Sequence, residues 1–380
     1  MELQTIVYDT ARGWHAPLPG HLDSPATLLL AFGGRECAAD SRPFDDIAAA
    51  FPQAVIAGCS TSGEICAGEV GDDTITLAVC RFAYTSLRFA SAPIASAEAS
   101  YEAGQQLAAA LSATGLRAVF VLSDGLNVNG TRLVEGINSA LPAQVVVTGG
   151  LAGDGDRFAQ TWVLEHGRPK SGTVTAVGFY GERLRVGHGF DAGWSSFGPE
   201  RRVTRSSGNV LYELDGKPAL ALYKEYLGER AHGLPATGLL FPLAIRRDAD
   251  SDEQLIRTIL AVDEQSQSLT FAGDIPQGCR ARLMRANSEQ LIQSAGNAAA
   301  QACGQMPAGF APLVVAVSCV GRRLILGERS EEEVEAVLDV LPATARQVGF
   351  YSYGEISPLI GGGASDLHNQ TMTITVFAED

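Results

Sequence analysis

The sequence predicts an α/β fold of two lobes, built from repeated strand–helix–strand units with mixed sheets. Three separate stretches of the chain follow one order: a buried strand, a helix, a proline, a glycine–acid pair and a closing β-branched strand. An order repeated in this way indicates an internal duplication. The composition, with 46% hydrophobic and 19% charged residues, is typical of a globular chain with a sizeable core.

The first copy places two buried strands around a helix and closes with a β-branched strand. A stretch rich in hydroxyl side chains precedes the closing strand, and its acid, Glu64, stands 12 positions after Pro52. The predicted segments are the strand Ala26–Phe32, the helix Asp45–Phe51 and the strands Ala54–Gly58 and Thr74–Val79.

The middle and C-terminal copies follow the same plan. Their acids are Asp154, which is 12 positions after Pro142, and Glu355, which is 13 positions after Pro342. The middle copy is predicted to comprise the strand Ala118–Leu122, the helix Gly130–Leu141 and the strands Val145–Val147 and Thr161–Leu164. The C-terminal copy is predicted to comprise the strand Leu313–Val317, the helix Glu331–Leu341 and the last strand, Thr371–Phe377.

The segment between these two copies has a different pattern. It contains a predicted strand pair, Thr173–Phe179 and Arg183–Gly187, a hairpin turn at Asp215–Gly216 and a helix, Lys217–Leu227. A fourth copy near Gly238–Asp274 is too degenerate to define. We therefore expect an N-terminal lobe of residues 1–215 and a C-terminal lobe of residues 216–380, with two related units in each.

Charge and cysteine content limit the class of protein. The formal net charge of −15 argues against a nucleic-acid binder and against attachment to an anionic membrane surface. The N-terminus lacks the pattern of a signal peptide, and no apolar run is long enough for a membrane helix. Seven cysteines, without a Cys-x-x-Cys pair, are typical of free thiols in a reducing compartment. The sequence thus predicts a cytoplasmic protein.

The glycine–acid corners are the predicted ligand site. Glycines that follow a buried strand let the backbone approach a ligand, and loops at strand ends are the usual binding positions in α/β folds. The same corners are also explained as tight turns in which the acid caps backbone N–H groups. The candidate ligand-binding residues are Cys59, Ser60, Thr61, Ser62, Glu64, Gly149, Gly150, Asp154, Tyr351, Ser352, Tyr353, Glu355 and His368.

These motifs resemble those of the FIST family, a sensory module with N-terminal and C-terminal parts, and the resemblance covers nearly the whole chain. The segments that carry it are Gly58–Glu64, Ser123–Gly125, Gly149–Asp154, Gly193–Trp194, Val203–Thr204, Leu214–Gly216, Gly349–Ile356 and Leu367–Thr371.

The resemblance implies intracellular sensing of a small ligand, such as an amino acid or a related metabolite. The implied output is a separate partner, a histidine kinase or a cyclic-di-nucleotide enzyme, because no kinase, methyl-acceptor or F-box segment is present in the chain. Some stand-alone members of the family are similar to haem-based nitric-oxide sensors, so haem is the one cofactor that the resemblance suggests.

His188 is the candidate axial ligand for such a haem. It lies between Gly187 and Gly189 just past a predicted strand, and these glycines would leave room for a flat ligand. A histidine in a surface turn is the alternative. His368 is a candidate donor to a ligand carboxylate, with ordering of its own loop as the alternative. No local spacing of histidines or cysteines indicates a zinc or iron site.

Cys59 raises the alternative of a cysteine-dependent hydrolase. It follows a buried strand, as nucleophiles often do, but a hydrolase also needs a nearby base and an oxyanion hole. The Gly-x-Ser-x-Gly elbow is absent, and only His188 or His368 would supply the base. Buried cysteines commonly act as small hydrophobes. The sequence therefore favours a sensor that is not an enzyme.

Overall fold

The computed structural model describes residues 1–246, 254–306, 309–359 and 363–380, which form 27 strands and seven α-helices. The elements up to residue 151 are β1 (Glu2–Asp9), β2 (Gly13–Trp14), β3 (Thr27–Gly34), α1 (Arg42–Ala50), β4 (Val55–Thr61), β5 (Glu64–Cys66), β6 (Glu69–Gly71), β7 (Thr74–Arg81), β8 (Ser86–Pro93), α2 (Ser100–Leu111), β9 (Leu116–Ser123), α3 (Gly130–Ala140) and β10 (Val146–Leu151).

The remaining elements run to the C-terminus. They are β11 (Val163–Glu165), β12 (Arg168–Lys170), β13 (Thr173–Tyr180), β14 (Leu184–Asp191), β15 (Ser195–Ser207), β16 (Val210–Leu214), β17 (Lys217–Pro218), α4 (Ala219–Leu227), β18 (Leu243–Arg246), β19 (Leu255–Arg257), β20 (Ile259–Asp263), β21 (Ser268–Phe271), β22 (Arg280–Arg285), α5 (Ser288–Cys303), β23 (Leu313–Cys319), α6 (Val320–Leu326), α7 (Ser330–Leu338), β24 (Arg346–Ser352), β25 (Gly354–Pro358), β26 (Ser365–His368) and β27 (Met372–Glu379).

Three of the four sheets share one arrangement of four strands. The shared orders are β4-β3-β7-β1 in the first sheet, β10-β9-β13-β8 in the second and β24-β23-β27-β14 in the third. In each sheet the first two strands of this order are parallel and the other pairs are antiparallel. The predicted α/β class with mixed sheets is therefore confirmed, and the three copies have a common topology.

Each copy sends a hairpin to the edge of the next sheet. The hairpin β5–β6 leaves the first copy and pairs with β24 of the third sheet. The hairpin β25–β26 leaves the C-terminal copy and pairs with β10 of the second sheet. The hairpin β11–β12 leaves the middle copy and pairs with β4 of the first sheet. Three exchanges in this order close a ring, and we refer to the three sheets together as the ring.

The ring encloses one shared hydrophobic core. Phe32 of the first sheet stacks on Phe350 of the third, with ring centroids 4.7 Å apart, and Phe179 of the second stacks on Phe377 of the third at 4.5 Å. Burying a large apolar side chain contributes about 1.5–3 kcal/mol. The opposite face of each sheet is covered by helices: α1 on the first, α2 and α3 on the second, and α5 and α7 on the third.

A glycine at the same position of each copy holds two parallel strands close together. A Cβ added at Gly58, Gly149 or Gly349 would lie 2.0, 1.9 or 1.9 Å from a carbonyl oxygen of the neighbouring strand. Each glycine is in register with the middle of that first strand. These positions therefore exclude any side chain.

The fourth sheet is antiparallel and differs from the ring. Its order is β19-β18-β22-β15-β16-β21-β20, with α4 packed against its apolar face. Asp215 and Gly216, both with positive φ, form the hairpin turn predicted there. The predicted lobe boundary at residue 215 thus falls within a hairpin of this sheet.

The structure corrects three details of the predicted architecture. The C-terminal copy joins the other two in the ring, so the copies are not divided two to each lobe. The middle copy is closed by β13, whereas the predicted closing segment Thr161–Leu164 enters β11 and pairs with the first sheet. The predicted pair Thr173–Phe179 and Arg183–Gly187 is divided between the second and third sheets.

Two further points concern the segments outside the copies. The indistinct fourth copy, near Gly238–Asp274, includes residues 247–253, which lie outside the described residues. Within the described part of the chain, no helix combines the length and apolar character needed to cross a bilayer.

Candidate functional site

The three glycine–acid corners meet at one end of the ring. Backbone hydrogen bonds connect each corner to another copy of the repeat. These bonds run from Ser62 N–H to the Tyr351 carbonyl (2.8 Å), from Tyr351 N–H to the Gly63 carbonyl (2.9 Å), from Gly153 N–H to the Ser60 carbonyl (3.0 Å) and from Tyr353 N–H to the Leu151 carbonyl (3.1 Å). The structure therefore brings the predicted corners together.

The acids of the first and third corners are buried and bonded within their own copies. Glu355 accepts hydrogen bonds from the Ser352 hydroxyl at 2.6 Å and from the Thr371 hydroxyl at 2.9 Å. Glu64 accepts from the Thr61 and Thr74 hydroxyls in the same pattern. Burial raises the pKa of Glu64 to about 7 and that of Glu355 to about 8. These two acids tie the corner to the start of the closing strand.

The acid of the middle corner has different partners. Asp154 accepts the backbone N–H groups of Ala159 at 2.9 Å and Gln160 at 2.8 Å, and the Tyr353 hydroxyl donates to its other oxygen. The Arg35 guanidinium lies 3.7 Å away. Burial favours a raised pKa, but these hydrogen bonds outweigh it and lower the pKa of Asp154. The middle corner therefore holds a carboxylate.

The remaining predicted residues of the first corner have structural partners. Cys59 is fully buried in the shared core, and burial raises the pKa of its thiol well above the ordinary value. The Ser60 hydroxyl accepts the Trp162 N–H at 3.0 Å, and the Ser62 hydroxyl accepts the Gly155 N–H at 3.0 Å. A thiol in this setting lacks the thiolate character of a nucleophile.

The predicted residues of the other corners are also packed. Gly149 lies within β10 against the backbone of β9, and a Cβ on Gly150 would meet Val317 at 2.8 Å. The Tyr351 hydroxyl donates to Glu333 at 3.0 Å. Gly150 therefore faces the ring interior, whereas Tyr351 lies on the helix-covered face of the third sheet.

His368 lies inside the protein beside the third corner. Its Nε2 atom is 3.1 Å from the Ser357 carbonyl, and its ring is 4.2 Å from that of Phe190. Burial lowers the pKa of His368 to about 4, so the imidazole is neutral near pH 7. The contacts fit the ordering role that was the alternative for this residue.

His188 lies on the edge strand β14, away from the corners. Its flanking glycines serve helix packing, because a Cβ on Gly187 or Gly189 would come within 2.2 or 2.3 Å of a carbonyl oxygen of α5. The adjacent Gln305 side chain donates to the His188 carbonyl at 2.6 Å, which satisfies the open strand edge.

The described residues around His188 do not provide a haem pocket. Burial lowers the pKa of His188, so a neutral donor is present. The cavity beside it, however, has a volume of about 240 Å³, and pockets for drug-sized ligands begin at about 300 Å³. Since the glycines contact α5, the room expected for a flat ligand is already filled.

An apolar cleft lies between the ring and the fourth sheet, next to the middle corner. Its volume is about 530 Å³. The described residues include six large hydrophobic side chains that are exposed, and four of them line this cleft. These four are Phe158, Leu240, Leu260 and Leu324, and the lining also includes the polar residues Asp156 and Thr237.

The cleft is connected to the middle corner through an aromatic pair. Phe158 stacks on Tyr353 with ring centroids 4.6 Å apart and an angle of 13° between the rings. Tyr353 in turn donates to Asp154 and, at 3.0 Å, to the Gly155 carbonyl. A ligand that contacts Phe158 is thus two side chains away from the Asp154 carboxylate.

Two neighbouring buried amides, Asn369 and Gln370, have polar atoms without a hydrogen-bond partner among the described residues. Neither the nitrogen nor the oxygen of the Asn369 amide has a hydrogen-bond partner among the described residues, and the side chain has no exposed surface. The next residue, Gln370, donates to the carbonyl of Leu239, a lining residue, at 3.1 Å. Buried polar groups of this kind are normally satisfied by water or by a ligand.

Sequence reasoning missed the residues of the cleft. They come from four separate segments, and single exposed hydrophobic residues are common on protein surfaces. No spacing rule joins Phe158 to Leu260, since only the packing of the fourth sheet on the ring makes them neighbours. Among the described residues, no group of three or more His, Cys, Asp or Glu side chains is placed to hold a metal ion.

Comparison with known proteins identifies two family models in the chain. A model described as the FIST N domain matches residues 27–217, and one described as the FIST C domain matches residues 219–358. No curated protein shows significant similarity to the chain. The first match runs from β3 through the first and middle copies into the first strands of the fourth sheet, and the second begins at α4.

Proposed function

Because this chain belongs to the FIST family, whose domains are sensory, we propose that it senses a small molecule bound in the apolar cleft. The observation that carries the proposal is the gathering of four exposed hydrophobic side chains around one cavity. Ligand pockets are concave, largely apolar and supplied with a few polar groups. Asp156 and Thr237 provide such groups in the wall.

The position of the cleft supports a signalling mechanism. Its wall combines Phe158 from the ring, Leu324 from α6 and Leu260 from the fourth sheet. A ligand that contacts all three stabilises one arrangement of the ring and the fourth sheet relative to others. A partner protein that binds this arrangement would then detect the shift in population. In keeping with the family resemblance, the proposed partner is a histidine kinase or a cyclic-di-nucleotide enzyme.

The proposed role is not catalytic. Cys59, the one candidate nucleophile, is buried in the ring core and its pKa is raised. His368 faces Ser357 and Phe190, and His188 lies on an edge strand, so neither is placed as a base for that thiol. The proposed location is the cytoplasm, because all seven cysteines are free thiols.

The test is a thermal-shift screen of the full chain against amino acids, small carboxylates, apolar metabolites and haem. A cleft ligand at 100 times its Kd stabilises the protein by about 2.7 kcal/mol. Leu324→Ser is expected to remove that shift, because Leu324 lines the cleft and is 44% exposed. Val340→Ser is the matched control, because Val340 is 41% exposed and does not line the cleft.

Three outcomes, the last of them the binding of haem at His188, would contradict the proposal. One is a ligand whose stabilising effect is equal in the wild type, the Leu324→Ser variant and the Val340→Ser control. Another is a screen in which no compound shifts the melting temperature of the wild type. A haem Soret band that is lost in His188→Ala would move the sensing site to the edge of β14.

A further inference from the structure

We propose that the ligand is an amphipathic carboxylate, with its apolar part in the apolar cleft and its anionic group at Arg230 and Arg285. The inference rests on the proposed function, because it specifies the ligand class of the same site. It is carried by a second cavity that adjoins the cleft and presents two guanidinium groups.

The second cavity, which we call the arginine cavity, has a volume of about 650 Å³. Thr237 and Leu240 line both cavities, so the two are neighbours. On α6, Leu324 faces the apolar cleft and the next residue, Ile325, faces the arginine cavity. Together they form a site that is apolar at one end and basic at the other.

The two guanidinium groups of the arginine cavity are held by aromatic rings. Arg230 lies over the Phe241 ring at 5.2 Å, and Arg285 lies over the Phe197 ring at 5.4 Å. Neither guanidinium group forms an ion pair or a hydrogen bond with another described residue. A cation–π contact of this kind leaves the N–H donors of a guanidinium available, and a guanidinium suits a carboxylate.

Other charges favour one orientation of the ligand. Asp156 lines the apolar cleft and would repel a carboxylate there. Glu229 lines the arginine cavity, but its side chain is fully exposed and lies 3.8 Å from His232. Two guanidinium groups against one carboxylate leave the arginine cavity with a local excess of positive charge, although the whole chain has a net charge of −15.

The experiment compares three probes of equal chain length by calorimetry on the full chain: octanoate, octanamide and octylammonium. We expect octanoate to bind at least about tenfold more tightly than the other two, as charge-assisted hydrogen bonds predict. The double variant Arg230→Gln/Arg285→Gln is expected to weaken octanoate by at least about tenfold and to leave octanamide unchanged. Both arginines are exposed, so the variant is expected to fold.

Arg117→Gln, which removes one positive charge elsewhere on the surface, is the control, because Arg117 is exposed on β9 and lines neither cavity. It is expected to leave all three affinities unchanged. Octanamide or octylammonium binding as tightly as octanoate would overturn the inference, and so would octanoate binding that the double variant does not alter.

The failure of this inference is distinguishable from that of the proposed function. If none of the three probes binds while another compound gives a shift that requires Leu324, the carboxylate class is wrong and the cleft remains the sensing site. If no compound at all binds in the cleft, both proposals fail.

Discussion

The middle and third corners of the ring occupy equivalent positions in their copies but hold their acids in opposite states. Glu355 is enclosed by the Ser352 and Thr371 hydroxyls, and burial raises its pKa to about 8. Asp154 receives two backbone N–H groups and the Tyr353 hydroxyl, and its pKa is lowered. One corner thus favours a neutral acid and the other a carboxylate.

The difference shows how a duplicated scaffold acquires one specialised position. In the first and third copies a hydroxyl residue, Thr61 or Ser352, stands three positions before the acid, whereas the middle copy has Leu151 there. Asp154 therefore takes its donors from the loop that follows it and from Tyr353 of another copy. The same loop carries Asp156 and Phe158 into the cleft.

The largest expected effect tests what the corners share. Gly349→Ala and Gly149→Ala are each expected to lower the free energy of unfolding by about 3 kcal/mol or more, because the new methyl group would lie 1.9 Å from a carbonyl oxygen. Gly149→Ala should cost more than Gly349→Ala, because Gly149 also has a φ of +142°, which side chains of L-residues rarely adopt. Urea unfolding midpoints measure the effect.

Gly68→Ala is the matched control for these variants. Its new Cβ would lie 3.4 Å from Leu338, an ordinary contact, so the expected change is within about 0.5 kcal/mol. A Gly349→Ala variant as stable as this control would show that the copies do not depend on close strand approach.

A smaller effect is expected for the carboxylate of the middle corner. Asp154→Asn should lower the free energy of unfolding by about 2 kcal/mol at pH 7, because an amide offers one acceptor oxygen whereas both oxygens of Asp154 accept hydrogen bonds. The pKa of Asp154 is lowered on folding, so its contribution is present above the ordinary value of 3.8 and is lost as the pH falls through the folded pKa. The difference in the free energy of unfolding between the variant and the wild type should therefore become smaller below pH 4.

Urea titrations at several pH values measure this gap, with the exposed Asp339→Asn as the control. A cost that is unchanged between pH 7 and pH 3 would mean that Asp154 contributes by shape and not by charge.

The smallest effect at neutral pH is expected at the third corner. The pKa of Glu355 is raised from 4.5 to about 8, so its stabilising neutral form is fully present below about pH 4.5 and is lost as the pH rises through 8. The side chain of Glu355→Gln stays neutral, so at pH 6 the free energy of unfolding should differ from that of the wild type by no more than about 1 kcal/mol. Between pH 6 and 9 the free energy of unfolding should fall with pH less steeply in the variant than in the wild type. The two slopes should differ by at most about 1.4 kcal/mol per pH unit.

Unfolding midpoints across that pH range provide the measurement, and Glu331→Gln at an exposed position of α7 is the control. Parallel curves for Glu355→Gln and the wild type would show that Glu355 is ionised in the folded protein, as Asp154 is.

The sequence contained enough information for the α/β class and the three copies, because strand runs, prolines and glycine–acid pairs are local signals. It did not indicate where the exchanged hairpins pair. The strand β5 has three residues, and nothing in them distinguishes a neighbour in the first sheet from one in the third. The prediction that Thr161–Leu164 closes the middle copy is wrong for the same reason. Its β-branched residues fit an edge of the first sheet as well as they fit the second.

The candidate site was predictable in part. The corners do meet, as their common place after parallel strands implies. Their acids accept hydrogen bonds from nearby hydroxyl and N–H groups. Which donors reach each acid depends on side-chain rotamers and on loops from other copies, and these are not local features of the sequence. The cleft depends on how the fourth sheet rests against Phe158 and Leu324, which no local pattern encodes.

The circular exchange of hairpins has a consequence for biosynthesis. In the second sheet, β10 stays unpaired at its edge until β25 has been synthesised. In the third sheet, β24 pairs with β5, which leaves the ribosome much earlier. A nascent chain that ends before residue 354 therefore exposes an unpaired strand, and such edges invite association with other chains. The ring can close only when nearly all of the polypeptide has been made, so its N-terminal two thirds should need protection during translation.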